Sequence, residues 1–319
     1  MNELMDADRD EMLRAAVVAP SMHNTQPWRF RFVDRTVEVY RDRERELPAE
    51  DPSRRMLFIS LGAAIFNLRV AAAARGMGSE VRHLIDQRRP DLIAVVELGR
   101  PPNESLAALA PYLSERRTNR EPFTDERLSE QVRVELGLCA RMEGAVLQWL
   151  DTSARQWWLR MATSEAEAAD DASSARTAER GRWIGGDRPD DGVPSSALGS
   201  RAAGSDAVVR DLAATPADAV RPVADFEREP QLAVLATRYD GPIEWLRAGQ
   251  ALEHVLLEAT ARGLSTSLLN QAIEHEELRV QINDPLGPWQ RPQTVIRFGY
   301  GPSVPPTPRR AVGDVLIRD

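Results

Sequence analysis

APSMHNTQPW, residues Ala19–Trp28, joins a helical pattern to a strand pattern within ten residues. Upstream, Met12, Leu13, Ala16, Val17 and Ala19 recur at helical spacing until Pro20 stops the helix. Downstream, Trp28, Phe30 and Phe32 alternate with polar residues, and Val37 and Val39 resume after the polar turn Asp34-Arg35, the pattern of a β-hairpin. Between them Ser21, His23, Asn24, Thr25 and Gln26 place several hydrogen-bonding side chains and free backbone groups at one sheet edge. On physical grounds this segment reads equally as a ligand loop or as a helix-to-strand turn with ordinary capping residues.

Further along, residues 53–75 form a long helix pattern that is apolar nearly all round and closed by Gly76, so it is expected to be buried. A strand at Leu92–Leu98 and a break at Gly99-Arg100-Pro101-Pro102 follow. Elements of the same kinds then return. A short helix spans Ser105–Ser114, and Thr124, followed by Asp125 and Glu126, is placed to N-cap a helix reaching Met142. Val146–Leu150 reads as a strand and Ser153–Glu167 as a helix. Residues 170–230 are rich in Asp, Arg, Ser, Gly and Pro and predict a long excursion with little helix of its own, beyond a turn or two at Val208–Ala213. Insertions of that length are lids or disordered segments. Leu232–Thr237 is a strand, Ile243–Arg262 a helix closed by Gly263, and Thr294–Phe298 a strand ending at Gly299.

Two of these stretches align. LGAAIFNLRVAAAARGMGS (Leu61–Ser79) matches LRAGQALEHVLLEATARGLST (Leu246–Thr266), with Gly62 on Gly249, Ala64 on Ala251 and Ala74-Arg75-Gly76 on Ala261-Arg262-Gly263, a constant offset of 187. Each copy is followed by a strand ending in glycine, Gly99 or Gly299. Alanine-rich helices that end in glycine also arise by chance; a duplicated chain would fold as two halves about an approximate twofold axis.

Composition narrows the chemistry. The chain has 319 residues, 42% of them hydrophobic, enough for a substantial core. Its net charge of -8 argues against general nucleic-acid binding, which rests on neutralising phosphates. Its 41 basic residues are all arginine, so lysine Schiff-base chemistry is excluded and any phosphate must be held by arginine, backbone N–H groups or hydroxyls. Cys139 is the sole cysteine, which rules out an intrachain disulfide; it reads as a buried thiol in a helix. His23, His83, His254 and His275 lack metal-ligand spacing, so no metal is expected. Gly76-Met77-Gly78 ends a helix, unlike a dinucleotide-binding turn. The acidic start MNELMDADRDE, and the lack of a long wholly apolar run, lead to the expectation of a cytoplasmic protein with no membrane partner.

Pro20, Ser21, Asn24, Gln26, Pro27 and Trp28 together match Pro-Ser-x-x-Asn-x-Gln-Pro-Trp, with Met22 and His23 in the variable places. This resembles the loop with which nitroreductase-family flavoproteins contact the flavin ring from one subunit of a dimer. Arg116-Arg117-Thr118-Asn119-Arg120 is similar to that family's Arg-x-Ser-x-Arg/Lys phosphate stretch, with Thr118 for serine, and Pro308-Arg309-Arg310 to its C-terminal basic pair. GLSTSLLNQ (Gly263–Gln271) resembles the turn and strand along the flavin pyrimidine edge, with Leu269, Asn270 and Gln271 at the contact positions. Alone, each arginine cluster reads as a solvated patch; together they suit a phosphate that needs charge-assisted donors.

The resemblance implies an α+β nitroreductase fold in which two fused halves, 1–103 and 104–319, form a pseudo-dimer of antiparallel sheets flanked by helices. It further implies one FMN per chain. The ring loop lies in the first half and the phosphate arginines in the second, while the complementary site lacks both motifs. A fused pair needs no partner chain, so a monomer is expected. Similarity to the Acg branch of the superfamily covers nearly the whole chain and implies two alternative activities. One is NAD(P)H-dependent hydride transfer through FMN to a nitroaromatic or quinone-like acceptor, with no protein residue as catalyst and with Arg120 beside the flavin N1 and C2 carbonyl. The other is FMN storage under a lid formed by about 170–230, including Trp183 and Asp191-Gly192-Val193-Pro194.

Overall fold

The computed structural model describes residues 4–83, 88–204, 211–212, 218–280 and 290–318. Helix α1 (Asp6–Val17) buries Met12, Leu13, Ala16 and Val17. It leads through the 18–27 loop into the antiparallel hairpin β1 (Trp28–Val33) and β2 (Thr36–Arg41), where Phe30 faces Val39. Asp34 supplies the positive φ, 52°, that the two-residue turn requires. Helix α2 (Arg55–Ala74) ends at Gly76, which adopts φ 73°, and is followed by β3 (Gly78–His83) and β4 (Leu92–Arg100). The first sheet has the antiparallel order β1-β2-β4-β3.

The second half repeats this order of elements. After α3 (Glu104–Ala107) come α4 (Glu130–Met142) and β5 (Val146–Trp149). An excursion follows, holding α5 (Ser153–Ala172), α6 (Ser174–Trp183) and the parallel pair β6 (Arg201–Ala202) and β7 (Val223–Ala224). Then come β8 (Gln231–Thr237), α7 (Pro242–Ala261), β9 (Ser265–Leu268), α8 (Gln271–Glu274), β10 (Arg291–Gly299) and α9 (Val312–Val315). The second sheet runs β5-β8-β10-β9, again antiparallel. Helix, two strands, long helix and two strands therefore occur twice with the same sheet order. The excursion occupies the place where the first half has only the Asp34-Arg35 turn.

The halves meet through α2 and α7. A Cβ on Gly62 would lie 2.9 Å from the Gly249 Cα and would run into the Leu246 carbonyl; one on Gly249 would lie 2.8 Å from the Gly62 Cα and run into the Ile59 carbonyl. Ile59 and Leu246 are also 187 positions apart, so the contact is self-complementary in the manner of a twofold interface. Only Arg69 and Ala74 of α2 escape burial. The helix is long and apolar enough to cross a membrane, but 89% of its apolar window is buried inside the protein. At its start, buried Arg55 reaches into the other half and donates to the carbonyls of Gln293 (2.6 Å) and Ile273 (2.7 Å). The C-terminal segment returns to the first sheet, where the Ile317 N–H donates to the Phe30 carbonyl at 2.7 Å.

Three expectations need correction. The helix reaching Met142 starts at Glu130 with Ser129 as its cap, not at Thr124. Residues 123–128 give their backbone groups to tertiary partners instead: Thr124 N–H to the Tyr300 carbonyl, Leu128 N–H to Gln231 Oε1, and the Glu126 carbonyl accepts from Gln231 Nε2. The 170–230 stretch is less irregular than expected, because α5 extends to Ala172 and α6 adds ten residues of helix. Strand β3 was not foreseen; Val81 is its sole large apolar residue. Of the Val208–Ala213 turn, all but residues 211 and 212 lie outside the described residues.

Replacing a solvent-facing helical glycine by alanine raises stability by up to about 1 kcal/mol. At this crossing the added methyl meets backbone, so Gly62→Ala and Gly249→Ala are each expected to destabilise by about 3 kcal/mol in denaturant unfolding. A gain in stability for either would show that the helices do not touch there.

Candidate functional site

A cavity of about 310 Å³ lies between the halves. Met56, Ile59 and Ser60 of α2 and Leu252 of α7 form its floor. Pro20, Ser21, Met22, His23 and Asn24 form one wall, from the first half. Arg116, Arg117, Thr118 and Arg120 form another, from the second. The end of β9 and the turn after it contribute Leu269, Asn270 and Gln271, and the C-terminal segment contributes residues 304–307 and Arg309. Val193, Ser196, Ala197, Gly199, Ser200 and Leu212, from the excursion, close the remaining side.

The first wall is a strained loop. His23, Asn24 and Gln26 all take left-handed φ values, 49°, 56° and 51°. Such values in non-glycine residues cost energy and persist only where surroundings impose them. The surroundings are specific. Asn24 Nδ2 donates to the carbonyls of Gly192 and Pro308, both at 2.9 Å, and Gln26 Nε2 donates to the Asp190 carbonyl. Ser21 Oγ accepts from the Gln26 N–H at 2.9 Å, and Gln26 Oε1 accepts from the Arg310 N–H at 2.9 Å. His23 Nε2 meets buried Glu50 Oε2 at 2.5 Å, and Glu50 in turn accepts from Arg180 of α6.

The arginine wall is pinned to β9. The Asn119 N–H donates to the Thr266 carbonyl at 2.8 Å, and Asn119 Nδ2 donates to Ser265 Oγ and the Pro302 carbonyl. Arg116 and Arg309 each donate one Nη2 bond to the Val18 carbonyl, at 3.1 and 3.2 Å. Arg116 Nε and Nη1 and Arg309 Nε have no hydrogen-bond partner although buried, and neither polar atom of the Gln271 amide has one. Burial, reinforced by the charges of Arg116 and Arg117, pushes Arg309 down to about 9, and burial with the Arg116 charge also lowers Arg117. Clustered, desolvated cations with unused donors form a site that an anion would relieve. Asn270 Oδ1 instead accepts from Thr294 Oγ1 and the Val295 N–H, so this side chain holds the turn while the chain beside it borders the cavity.

Of the residues singled out in the sequence, Pro20, Ser21, Met22, Asn24, Arg116, Arg117, Thr118, Arg120, Leu269, Asn270, Gln271 and Arg309 all border this one cavity. Arg310 does not. Its guanidinium points back into the protein, donating to the carbonyls of Gln26, Trp28 and Asp314 and to Asp42. It clamps the loop rather than facing the cavity. Trp183 is also absent from the lining; the Arg45 guanidinium lies 5.6 Å from its ring. Sequence reasoning missed Asn119, the helix floor and residues 304–307; the proline run SVPPTP was the available signal for a stiff wall. Cys139 is buried and its thiol is pushed up to about 12, chiefly by burial, so it is not a nucleophile.

The mirror position is occupied by side chains. The 187 offset pairs Asn270 with His83 and Asn67 with His254. His83 Nε2 meets Gln250 Nε2 at 3.1 Å, Gln250 Oε1 accepts from Arg69, and Arg69 bridges at 2.5 Å to Glu143, which lies 3.4 Å from His254. Among the described residues no group of His, Cys, Asp and Glu could hold a metal ion.

Two antiparallel sheets about a pair of helices, with an arginine-walled cavity between the halves, define the class. Known proteins agree. "Putative NAD(P)H nitroreductase acg" of Mycobacterium tuberculosis strain H37Rv is 31% identical over 312 residues, 95% of this chain and 93% of its own. "Putative NAD(P)H nitroreductase Rv3131" of the same strain is 27% identical over 96% of this chain and 90% of its own. The chain therefore belongs to the nitroreductase family. No family model matches it. Among solved structures, the FMN and NADPH-dependent nitroreductase NfnB of a Sphigopyxis strain aligns over 66% of this chain and 98% of its own, with 14% identity and a TM-score of 0.42. The solved "putative nitroreductase in complex with fmn" from Desulfovibrio desulfuricans gives 13% identity over 66% of this chain and 96% of its own, with a TM-score of 0.40.

Burial, with the Arg247 and Arg69 charges behind it, pushes His83 down to about 4. A histidine depressed in the folded state binds its proton more readily when unfolded, so its contribution is full above about pH 6.5 and lost as pH falls towards 4. His83→Gln is therefore expected to flatten the fall in melting temperature between pH 7.5 and 5. An unchanged slope would mean that half-buried His83 is not held below its ordinary value in the folded protein.

Proposed function

We propose that this protein binds one FMN in the cavity between its halves. The observation that carries the reading is the meeting of two independently recognised segments, the Pro20–Asn24 loop and the arginine wall, across one cavity with orphaned guanidinium donors. Arg116, Arg117 and Arg309, with the Thr118 hydroxyl, suit a terminal phosphate; the strained loop and the Leu269–Gln271 turn suit the ring. Bound FMN would supply hydride acceptance and release at N5, from NAD(P)H to a nitroaromatic or quinone-like acceptor. The chain's own part is to bind, orient and exclude water. Arg120, whose Nη1 also donates to the Ala197 carbonyl at 3.0 Å, is in this reading the cation nearest the ring and favours negative charge on it. No side chain is assigned as acid or base. Because both walls come from one chain, the site needs no partner subunit, and in this reading the protein acts as a monomer.

A second reading is favoured by the excursion, which lines one side of the cavity and is held there. Gly199 packs against the Arg120 backbone, Ser200 Oγ donates to Glu121 Oε2 at 2.6 Å, and Gly192 pairs with Asn24. A closed lid of this kind would bar nicotinamide from the ring and make the protein a store of FMN.

The purified protein is expected to be yellow and to rebind FMN after removal. Arg309→Ala is expected to weaken FMN by about 1.5–3 kcal/mol, roughly ten- to a hundredfold in Kd, while leaving riboflavin affinity almost unchanged. A chain that stays colourless with added FMN overturns the reading. Anaerobic mixing with NADPH or NADH separates the two activities: bleaching selects the reductase, and a persistent yellow colour the store.

A further inference from the structure

Behind the arginine wall stands a carboxylate that the reading above does not use. Glu253, in the middle of α7, is 1% exposed, and neither of its oxygens has a hydrogen-bond partner. Arg116 Nε lies 3.5 Å from Glu253 Oε1, too far for a good bond but close enough for a strong charge interaction in a dry site. Around Glu253 the charged or polar groups are Arg116 from the segment after α3, Arg309 from the C-terminal segment and Asn67 from α2. The next residue, His254, turns instead to Glu143, which also pairs with Arg69. The repeat gives this position no reason to be acidic, because 187 residues earlier stands Phe66, wholly buried.

We propose that Glu253 is the positioning residue of the phosphate site: it holds the Arg116 guanidinium behind the cavity and takes up a proton when a phosphate dianion binds in front. The inference rests on the flavin reading. Arg116 is shared between two anions on opposite sides. Before binding, Glu253 balances part of the charge of Arg116 and Arg309, which would otherwise repel each other in a desolvated cluster. When the phosphate arrives it supplies that charge itself, and a second negative group beside it is disfavoured. Protonation is within reach, since burial pushes the Glu253 carboxyl up to about 7, against the pull of Arg116, Asn67 and Arg309.

The sign follows from linkage. A group that gains a proton on binding makes affinity fall as pH rises, by up to about tenfold for each unit by which the phosphate raises the carboxyl. Above pH 7 the FMN phosphate is itself dianionic, its second pKa being about 6, and arginines keep it so. Riboflavin, which lacks the phosphate, supplies the reference. The experiment is to measure Kd for FMN and riboflavin at pH 7 and pH 8, below the range in which Arg309 loses its own charge, in the unmodified protein and in Glu253→Gln. The expected result is a several-fold loss of the FMN preference over riboflavin at pH 8, abolished in Glu253→Gln. A preference equal at both pH values, or one that falls as steeply in the variant, overturns the inference. Should the amide fail to fold, Glu253→Met removes the same charge in an apolar setting and is read the same way. Failure to bind FMN at any pH would strike at the flavin reading itself, so the two outcomes are distinct.

Discussion

The contact between Gly62 and Gly249 governs this molecule. Two long apolar helices can approach until backbone meets backbone only where neither carries a side chain, and here that happens once, at positions related by the repeat. Ordinary helix packing holds axes 8–10 Å apart according to the side chains between them. Both helices supply the cavity floor, Ile59 and Ser60 from one and Leu252 from the other. Their closeness therefore sets how far apart the ring loop and the arginine wall stand. A wider crossing would draw the two walls of the cavity apart.

Symmetry about that crossing is kept in topology and broken in chemistry. Both sheets have the same strand order, yet one mirror position is a cavity while the other is taken up by His83, Gln250, Arg69, Glu143 and His254. The excursion between β5 and β8 adds to the asymmetry. It crosses to the opposite half and ties itself to the loop through Asn24, Gln26 and Glu50, so that the only strained backbone of the loop is held from outside its own half.

That dependence explains what could be read beforehand. Elements with strong periodicity, such as α2, α7, β1 and β4, were legible because burial of one face or of all faces leaves a direct imprint on residue choice. Helix α6 was not, because it packs through charges: Glu179 accepts from the backbone N–H groups of Ala49 and Glu50, and Arg180 pairs with Glu50 and Asp170. Such contacts leave no apolar stripe. Thr124 misled for a related reason, as it carries a capping side chain whose own backbone is bonded to Tyr300.

By itself the sequence determined the two-half plan, the loop motif and the arginine cluster, since each is a local matter of residue type and spacing. Tertiary structure alone decided which side chains face the cavity. Arg309 and Arg310 are chemically alike and adjacent, yet one lines the cavity and the other is bonded into the loop's support. The physical reason is that a guanidinium takes its role from the acceptors around it, and those carbonyls and carboxylates come from strands and loops hundreds of residues away along the chain.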